Sequence, residues 1–218
     1  MAIIESCVTG DLAGLCDRLL RVRQRGGVIA FPTETYYALS VDPFNEEAVA
    51  RVQRIKGRPD GKPLLILIGE RAQLHELVVE VPVVAQVLMD AFWPGALTIV
   101  LPANPRFPFG VTAGTGTVGV RQSSWPALGP ILSRIGPVTG TSANLSGEPP
   151  MQTAQDVQRT LGDQVDLILD TGSTPGGLPS TLVTVCGVPM VLREGPVSRS
   201  AMEQALAERG IHLKMEEI

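Results

Sequence analysis

The chain has 218 residues, 44% of them hydrophobic and only 18% charged, which supplies a sizeable core and excludes wholesale disorder. Its 23 Gly and 18 Pro mark a loop-rich protein short of low complexity. The formal net charge of −4, with a pI near 5.3, excludes a generally basic nucleic-acid coat but leaves room for a local basic site.

The elements read in chain order as follows. After a short apolar lead, Asp11 caps a helix over 11–25 whose apolar positions Leu12, Leu15, Leu19 and Val22 recur at helical spacing. Residues 28–31 read as a buried strand leading into the polar loop Thr33-Glu34-Thr35. Asn45 caps a second helix, with Glu46 and Glu47 in the first turn where the macrodipole favours anions. Its predicted buried face is Ala48, Val49, Val52 and Ile55, and it stops at Lys56-Gly57. Strands are expected at 64–68, 97–101, 117–121, 137–141, 165–169, 182–185 and 190–193. Helices are expected at 71–78, 82–92, 126–135, 153–161 and 198–209, with a Pro/Gly-rich loop over 102–115. Strands mixed with helices throughout predict one large mixed α/β sheet in a single domain, residues 1–218.

Cys7, Cys16 and Cys186 are odd in number and scattered, so they form neither a disulfide framework nor a four-thiolate zinc site and read as small buried hydrophobes. No apolar run approaches the roughly 18–20 residues of a membrane span. The N-terminus lacks the pattern of a secretory leader, and the chain reads as cytoplasmic.

Two nucleotide-binding patterns fail on context. Gly114, Gly116 and Gly119 spell G-x-G-x-x-G, but a strand follows where a helix is required. Residues 57–62 resemble a worn P-loop with a missing spacer and Pro63 in place of the magnesium-binding hydroxyl. With only His75 and His212, neither a histidine metal cluster nor a Ser-His-Asp triad is available. Chemistry must therefore rest on cations, hydroxyls, amides and backbone donors.

Three local signals remain. Arg51, Arg54, Lys56, Arg58, Lys62 and Arg71 concentrate positive charge, and Lys56 and Arg58 straddle Gly57 at a helix end. A compact ammonium beside a planar guanidinium suits a polyanion such as a triphosphate, with ordinary surface charge as the alternative. Because the helix face is complete without them, replacing either is expected to cost only about 0.5 kcal/mol of stability, as at a surface site. Thr139 to Asn144 follow an apolar strand, where open α/β sheets bind ligands and where a simple Ser/Asn turn is equally common. Arg121 and Arg193 each close an apolar strand, as ligand contacts or as rim salt bridges.

Taken together, the segments Phe31-Pro32-Thr33-Glu34-Thr35, Lys56-Gly57-Arg58-Pro59, Phe92-Trp93-Pro94-Gly95-x-Leu97-Thr98, Thr117-Val118-Gly119-Val120-Arg121, Ser142-Ala143-Asn144-Leu145-Ser146-Gly147, Ser180-Thr181 and Leu192-Arg193-x-Gly195 resemble the YrdC family, which includes threonylcarbamoyl-AMP synthases. The likeness is strongest over 26–195, with the C-terminal helix 198–209 appended. It implies a twisted, mostly parallel sheet flanked by helices around a concave basic cavity, in the short, single-domain type without the extra C-terminal domain of longer synthases.

The resemblance also implies a reaction. L-Threonine, bicarbonate and ATP give threonylcarbamoyladenylate and pyrophosphate, with Mg2+ accompanying ATP, for N6-threonylcarbamoyladenosine formation at position 37 of tRNA. It implies ATP contacts from Lys56, Arg58, Thr117, Ser142, Asn144 and Arg193, with Lys56 and Arg58 on the phosphates. Thr33, Arg121 and Ser180 would hold threonine or its carbamate, and no protein metal ligand is implied. The product would pass to the tRNA threonylcarbamoyl-transfer machinery, with tRNA binding by this chain weak or indirect.

The chain departs from the family pattern in four places. Tyr36-Tyr37-Ala38-Leu39-Ser40 replaces two glycines by residues with side chains, predicting a narrower cavity wall. Leu67 stands where some members place a histidine near threonine. Gln122-Ser123-Ser124-Trp125-Pro126 replaces a Val-Pro-x-His-Pro stretch, and Pro179 precedes Ser180 where many members carry Glu. The competing expectations are a YciO-type paralogue that shares the fold and an RNA-binding module. Acidity and only 9 aromatic residues argue against the latter.

Overall fold

The computed structural model describes residues 2–6, 11–57 and 62–211, together with the backbone of 214–215. Arg58, Cys7 and His212 lie outside the described residues.

The caps expected from sequence set the helix boundaries. Helix α1 (Leu12–Gln24) begins where the Asp11 side chain accepts from Gly14 N, and its buried residues are Leu15, Cys16, Leu19 and Val22. Helix α2 (Glu46–Lys56) begins where the Asn45 side chain accepts from Ala48 N, and it ends at Gly57 in the left-handed conformation. Ala48, Val49, Val52 and Ile55 are buried as expected, and so is Lys56.

Beyond a 3-10 turn at Arg71–Gln73 come the short helix α3 (Leu74–Leu77) and α4 (Val83–Phe92). α5 (Phe109–Thr112) lies inside the stretch read as pure loop. The remaining helices are α6 (Leu128–Ile135), α7 (Ala154–Leu161) and α8 (Arg199–Ala207). Thr153 and Ser198 cap the last two through their side-chain oxygens. No helix of the described residues is long and apolar enough to cross a membrane.

The strands form two mixed sheets, where a single sheet was expected. The first contains β1 (Ile3–Ser6), β2 (Ile29–Phe31), β3 (Ala38–Ser40), β8 (Thr141–Ser142) and β9 (Leu167–Asp170), in the order β1-β9-β2-β3-β8. The second contains β4 (Leu65–Ile68), β5 (Leu97–Pro102), β6 (Thr117–Gln122), β7 (Val138–Thr139), β10 (Thr181–Thr184), β11 (Met190–Arg193) and β12 (Lys214–Met215). Its order is β12-β11-β10-β5-β6-β4-β7. Parallel and antiparallel pairings are equally frequent in the described strands, so the sheets are evenly mixed and not mostly parallel.

The division of the sheets has a local cause at residue 140. Thr139 pairs with Ile66 in the larger sheet, whereas Thr141 pairs with Leu39 in the smaller one. The strand expected over 137–141 is therefore a crossover between sheets, pivoting on Gly140. A Cβ there would lie 2.6 Å from Leu67 Cγ and 2.7 Å from Leu65 Cδ1, so only glycine lets the chain pass this close. Thr139 bonds back across the gap: its N donates to Val41 O at 3.0 Å, and its Oγ1 accepts from Val41 N at 3.1 Å.

Most buried side chains form one large core, which includes Val28, Tyr37, Leu39, Val52, Ile66, Leu97, Val118, Val120 and Val183. A smaller cluster packs α1 and α6 against Ile29, Phe31, Leu67 and Leu167.

Candidate active site

A cavity of about 540 Å³ is lined by residues of both sheets. Its floor follows from strand alternation. On β6, Thr117, Gly119 and Arg121 line the cavity while Val118 and Val120 are fully buried in the core. Thr98 and Val100 of β5 lie alongside, and Ser180 and Leu182 continue the surface at β10. Between β10 and β11 the register shifts, Leu182 pairing with Arg193 and Val183 with Val191. Leu192 is thus the extra residue of a bulge, and both Leu192 and Arg193 reach the cavity. The opposite wall comes from Thr33, Thr35, Tyr36, Tyr37 and Ala38, then Gly140, Thr141 and Ser142.

Six of the sequence-predicted site residues meet here: Thr33, Thr117, Arg121, Ser142, Ser180 and Arg193. Of the two residues that replace glycines, Ala38 lines the wall as expected whereas Ser40 is fully buried away from it; Pro179 lines the wall. Leu67 does not line the cavity; it is fully buried in the smaller core cluster, with Leu65 on the cavity instead. Lys62, Thr35, Thr98 and Thr115 also line the cavity without having been singled out as site residues. The sequence held a signal for Lys62, which belongs to the cation cluster, and for Thr98, which closes the Phe92–Thr98 motif.

Lys56 and Asn144 stand one layer behind. Lys56 is 5% exposed, and its ammonium donates to Ser142 O, to Asn144 O at 3.1 Å and to Asn144 Oδ1 at 2.9 Å. Ser142 Oγ also donates to Asn144 Oδ1, at 2.6 Å. The expectation of a surface lysine with little structural cost is therefore corrected. The helix end delivers the ammonium into the protein, where it ties the Ser142–Asn144 turn.

The electrostatics favour an anion. Lys62, Arg121 and Arg193 line the cavity, and none of its described lining residues is acidic. Burial pushes the Arg121 guanidinium below its ordinary range; Glu34 opposes that fall and Arg193 adds to it. Partial desolvation also lowers Arg193, whose Nη2 donates to Ser180 O at 2.8 Å. Ser180 Oγ lies 2.8 Å from Thr98 Oγ1. Cations gathered on a concave, partly apolar wall focus potential on whatever binds there, with Glu34 behind Arg121 as a partial counter-charge.

The wall is braced by tyrosine. Tyr36 donates to Gly177 O, and the buried Tyr37 hydroxyl donates to Gly172 O at 3.0 Å. Burial, reinforced by Asp170, pushes the Tyr37 phenol up to about 12. Between pH 10 and about 12 the unfolded chain releases a proton that the folded chain keeps, so stability falls as pH rises through that window. Tyr37→Phe is expected to remove this slope and to cost about 1 kcal/mol at neutral pH. Thermal melts from pH 7 to 11 check both.

The Sua5/YciO/YrdC family model, described as "Telomere recombination", matches residues 21–195. The chain belongs to this family. Threonylcarbamoyl-AMP synthase of Bacillus subtilis is 37% identical over 182 residues, 82% of this chain and 53% of that protein. The Pyrococcus abyssi synthase is 37% identical over 191 residues, 87% of this chain and 56% of that one. This chain thus spans about half the length of those two relatives. The structure of P. abyssi Sua5 complexed with L-threonine matches with a TM-score of 0.87 at 31% identity, covering 98% of this chain and 62% of that one. Escherichia coli YciO matches with a TM-score of 0.82 at 27% identity, covering 93% of this chain and all of YciO.

Proposed function

We propose that the chain joins L-threonine, bicarbonate and ATP into L-threonylcarbamoyladenylate, releasing pyrophosphate, as a nucleotidyltransferase acting through a single YrdC-like domain. The observation that carries this reading is the cavity itself, where both sheets bring cations and hydroxyls together on a wall free of carboxylates among the described residues. The relatives' names and the threonine complex of P. abyssi Sua5 support the choice of substrates.

The chemistry suits such a wall. Bicarbonate and the threonine amine lose water to form a carbamate. A carbamate oxygen then attacks the α-phosphorus of ATP, and the bond from that phosphorus to the pyrophosphate oxygen breaks. No side-chain nucleophile is needed; the protein must align three substrates and stabilise charge on the phosphates. In this proposal Thr33, Arg121 and Ser180 hold threonine and its carbamate, and Thr117, Ser142, Arg58 and Arg193 hold the nucleotide. Lys56 and Asn144 act on the nucleotide through the turn they fix.

Among the described residues no three His, Cys, Asp or Glu side chains cluster to hold a metal ion. A magnesium ion fits with ATP phosphates and water as its ligands, and would supply neutralisation of the phosphate charge. The product would serve a tRNA threonylcarbamoyl-transfer machinery, with tRNA binding by this chain weak or indirect.

A YciO-type paralogue without this activity is the second reading, favoured by Ala38 and Pro179 on the cavity wall. Incubating the pure protein with ATP, Mg2+, bicarbonate and each amino acid, with mass spectrometry of the products, separates the two. A new adenylate and pyrophosphate that require L-threonine are expected. ATP binding without any adenylate establishes the second reading.

A further inference from the structure

Glu34 belongs to the loop that carries Thr33 and Thr35, yet it is absent from the cavity lining. Its carboxylate lies behind Arg121, with side chains 14% and 4% exposed respectively. Glu34 Oε2 accepts from Ser123 Oγ, which fixes the rotation of the carboxylate. Glu34 Oε1 faces Arg121 Nε at 3.6 Å, and neither atom has a hydrogen-bond partner among the described residues.

That combination is unusual for a buried ion pair, which ordinarily closes into short, often bidentate hydrogen bonds. Here the pair stops short of one. A guanidinium stays protonated in proteins, so at the cavity floor Arg121 needs a counter-charge, the more so with Arg193 of like sign nearby. Glu34 faces Arg121 from behind, at the buried Nε, and so leaves the far nitrogens of the guanidinium to the cavity. Held by Ser123, the carboxylate offsets the charge without closing a bidentate pair that would turn those nitrogens back into the wall.

We propose that Glu34, fixed by Ser123, is a positioning residue that aims Arg121 into the cavity as the recognition point for the carboxylate of an amino-acid substrate. This rests on the function proposed above, which supplies the amino acid. Glu34 itself touches no substrate; its effect is carried by the Arg121 side chain. It should therefore govern amino-acid binding and leave nucleotide binding alone, whereas a merely structural residue would affect both together.

Calorimetric titrations of L-threonine and of ATP, with a thermal melt of each protein, test this on the wild type, Glu34→Gln and Ser123→Ala. Glu34→Gln keeps the volume and removes the charge; it is expected to weaken L-threonine binding about 30-fold, as for loss of a charge-assisted contact. Its ATP affinity is expected to stay within about threefold, as for sites that do not share a partner. Ser123→Ala, which frees the carboxylate to close on Arg121, should weaken L-threonine roughly 3- to 10-fold, the worth of one hydrogen bond. Unchanged L-threonine affinity in folded Glu34→Gln, or equal loss of both ligands, overturns the proposal. If Glu34→Gln does not fold, Ser123→Ala decides by the same criteria. Should the wild type bind another amino acid in place of L-threonine, the substrate reading above fails and the same comparison is made with that amino acid. A wild type that binds no amino acid overturns both.

Discussion

Lys56→Ala is expected to melt well below the wild type and to lose nucleotide binding, although the residue stands behind the cavity wall. Its ammonium serves Ser142 O, Asn144 O and Asn144 Oδ1 from a buried position. Truncation leaves these acceptors without a charged donor, at a cost of about 3 kcal/mol or more. For a chain of this size that is a drop of roughly 6–12 °C. The turn would also lose what holds Ser142 at the cavity, and a misplacement of about 1 Å can cost on the order of 100-fold in turnover. Lys56→Arg should rescue poorly, because a planar fork does not replace a compact ammonium whose acceptors converge on one point. Melts and ATP titrations of both variants check this. A Lys56→Ala protein that melts like the wild type would remove the tie, and one that melts early but binds ATP normally would separate it from the nucleotide.

The same lysine marks where the sequence stops being informative. Helix α2 was legible to the residue, because Asn45, the two glutamates, the apolar face and Gly57 are all local. What the last side chain of that helix does is not local. Its acceptors come 86 and 88 residues later, and a charge at a helix end reads as solvated until the chain folds over it. Glu34 is silent in sequence for the same reason, since Ser123 follows 89 residues on.

The strand under the cavity floor was legible at 117–121, and alternation along it puts Thr117, Gly119 and Arg121 on the cavity face and its valines in the core. The splitting of the strands into two sheets was not. It turns on the close approach of Gly140 to Leu65 and Leu67, and a glycine between Thr139 and Thr141 looks the same in sequence whether a strand continues or changes sheets. Strand β3 was hidden likewise. Ala38–Ser40 is only three residues long, and pairing with β2 and β8 is what makes it a strand.

Gly195→Ala is expected to damage the site more than any other single methyl group. A Cβ at this position would lie 2.2 Å from Pro179 O, 2.5 Å from Thr181 N and 2.8 Å from Ser180 C, all of them backbone atoms. The facing segment cannot readily retreat. Thr181 N donates to Ala96 O at 3.0 Å, Thr181 Oγ1 donates to Val197 O at 2.7 Å, and Ser180 bonds both Thr98 and Arg193. Relief must therefore displace Ser180 or Arg193, both on the cavity wall. Overpacking of this kind costs about 1–3 kcal/mol, and shifting two ligand contacts by about 1 Å should lower adenylate formation roughly 100-fold. Gly129→Ala is the matched control. It lies within α6, where the nearest atom outside the helix and the neighbouring residues is Gly69 O at 3.9 Å; the gain in helix propensity is offset by the crowding of a Cβ that precedes Pro130, so stability and activity should both stay near the wild type. Melts and adenylate assays on the two variants decide the matter: a Gly195→Ala protein as active as Gly129→Ala would mean that the 179–181 backbone yields without moving Ser180 or Arg193.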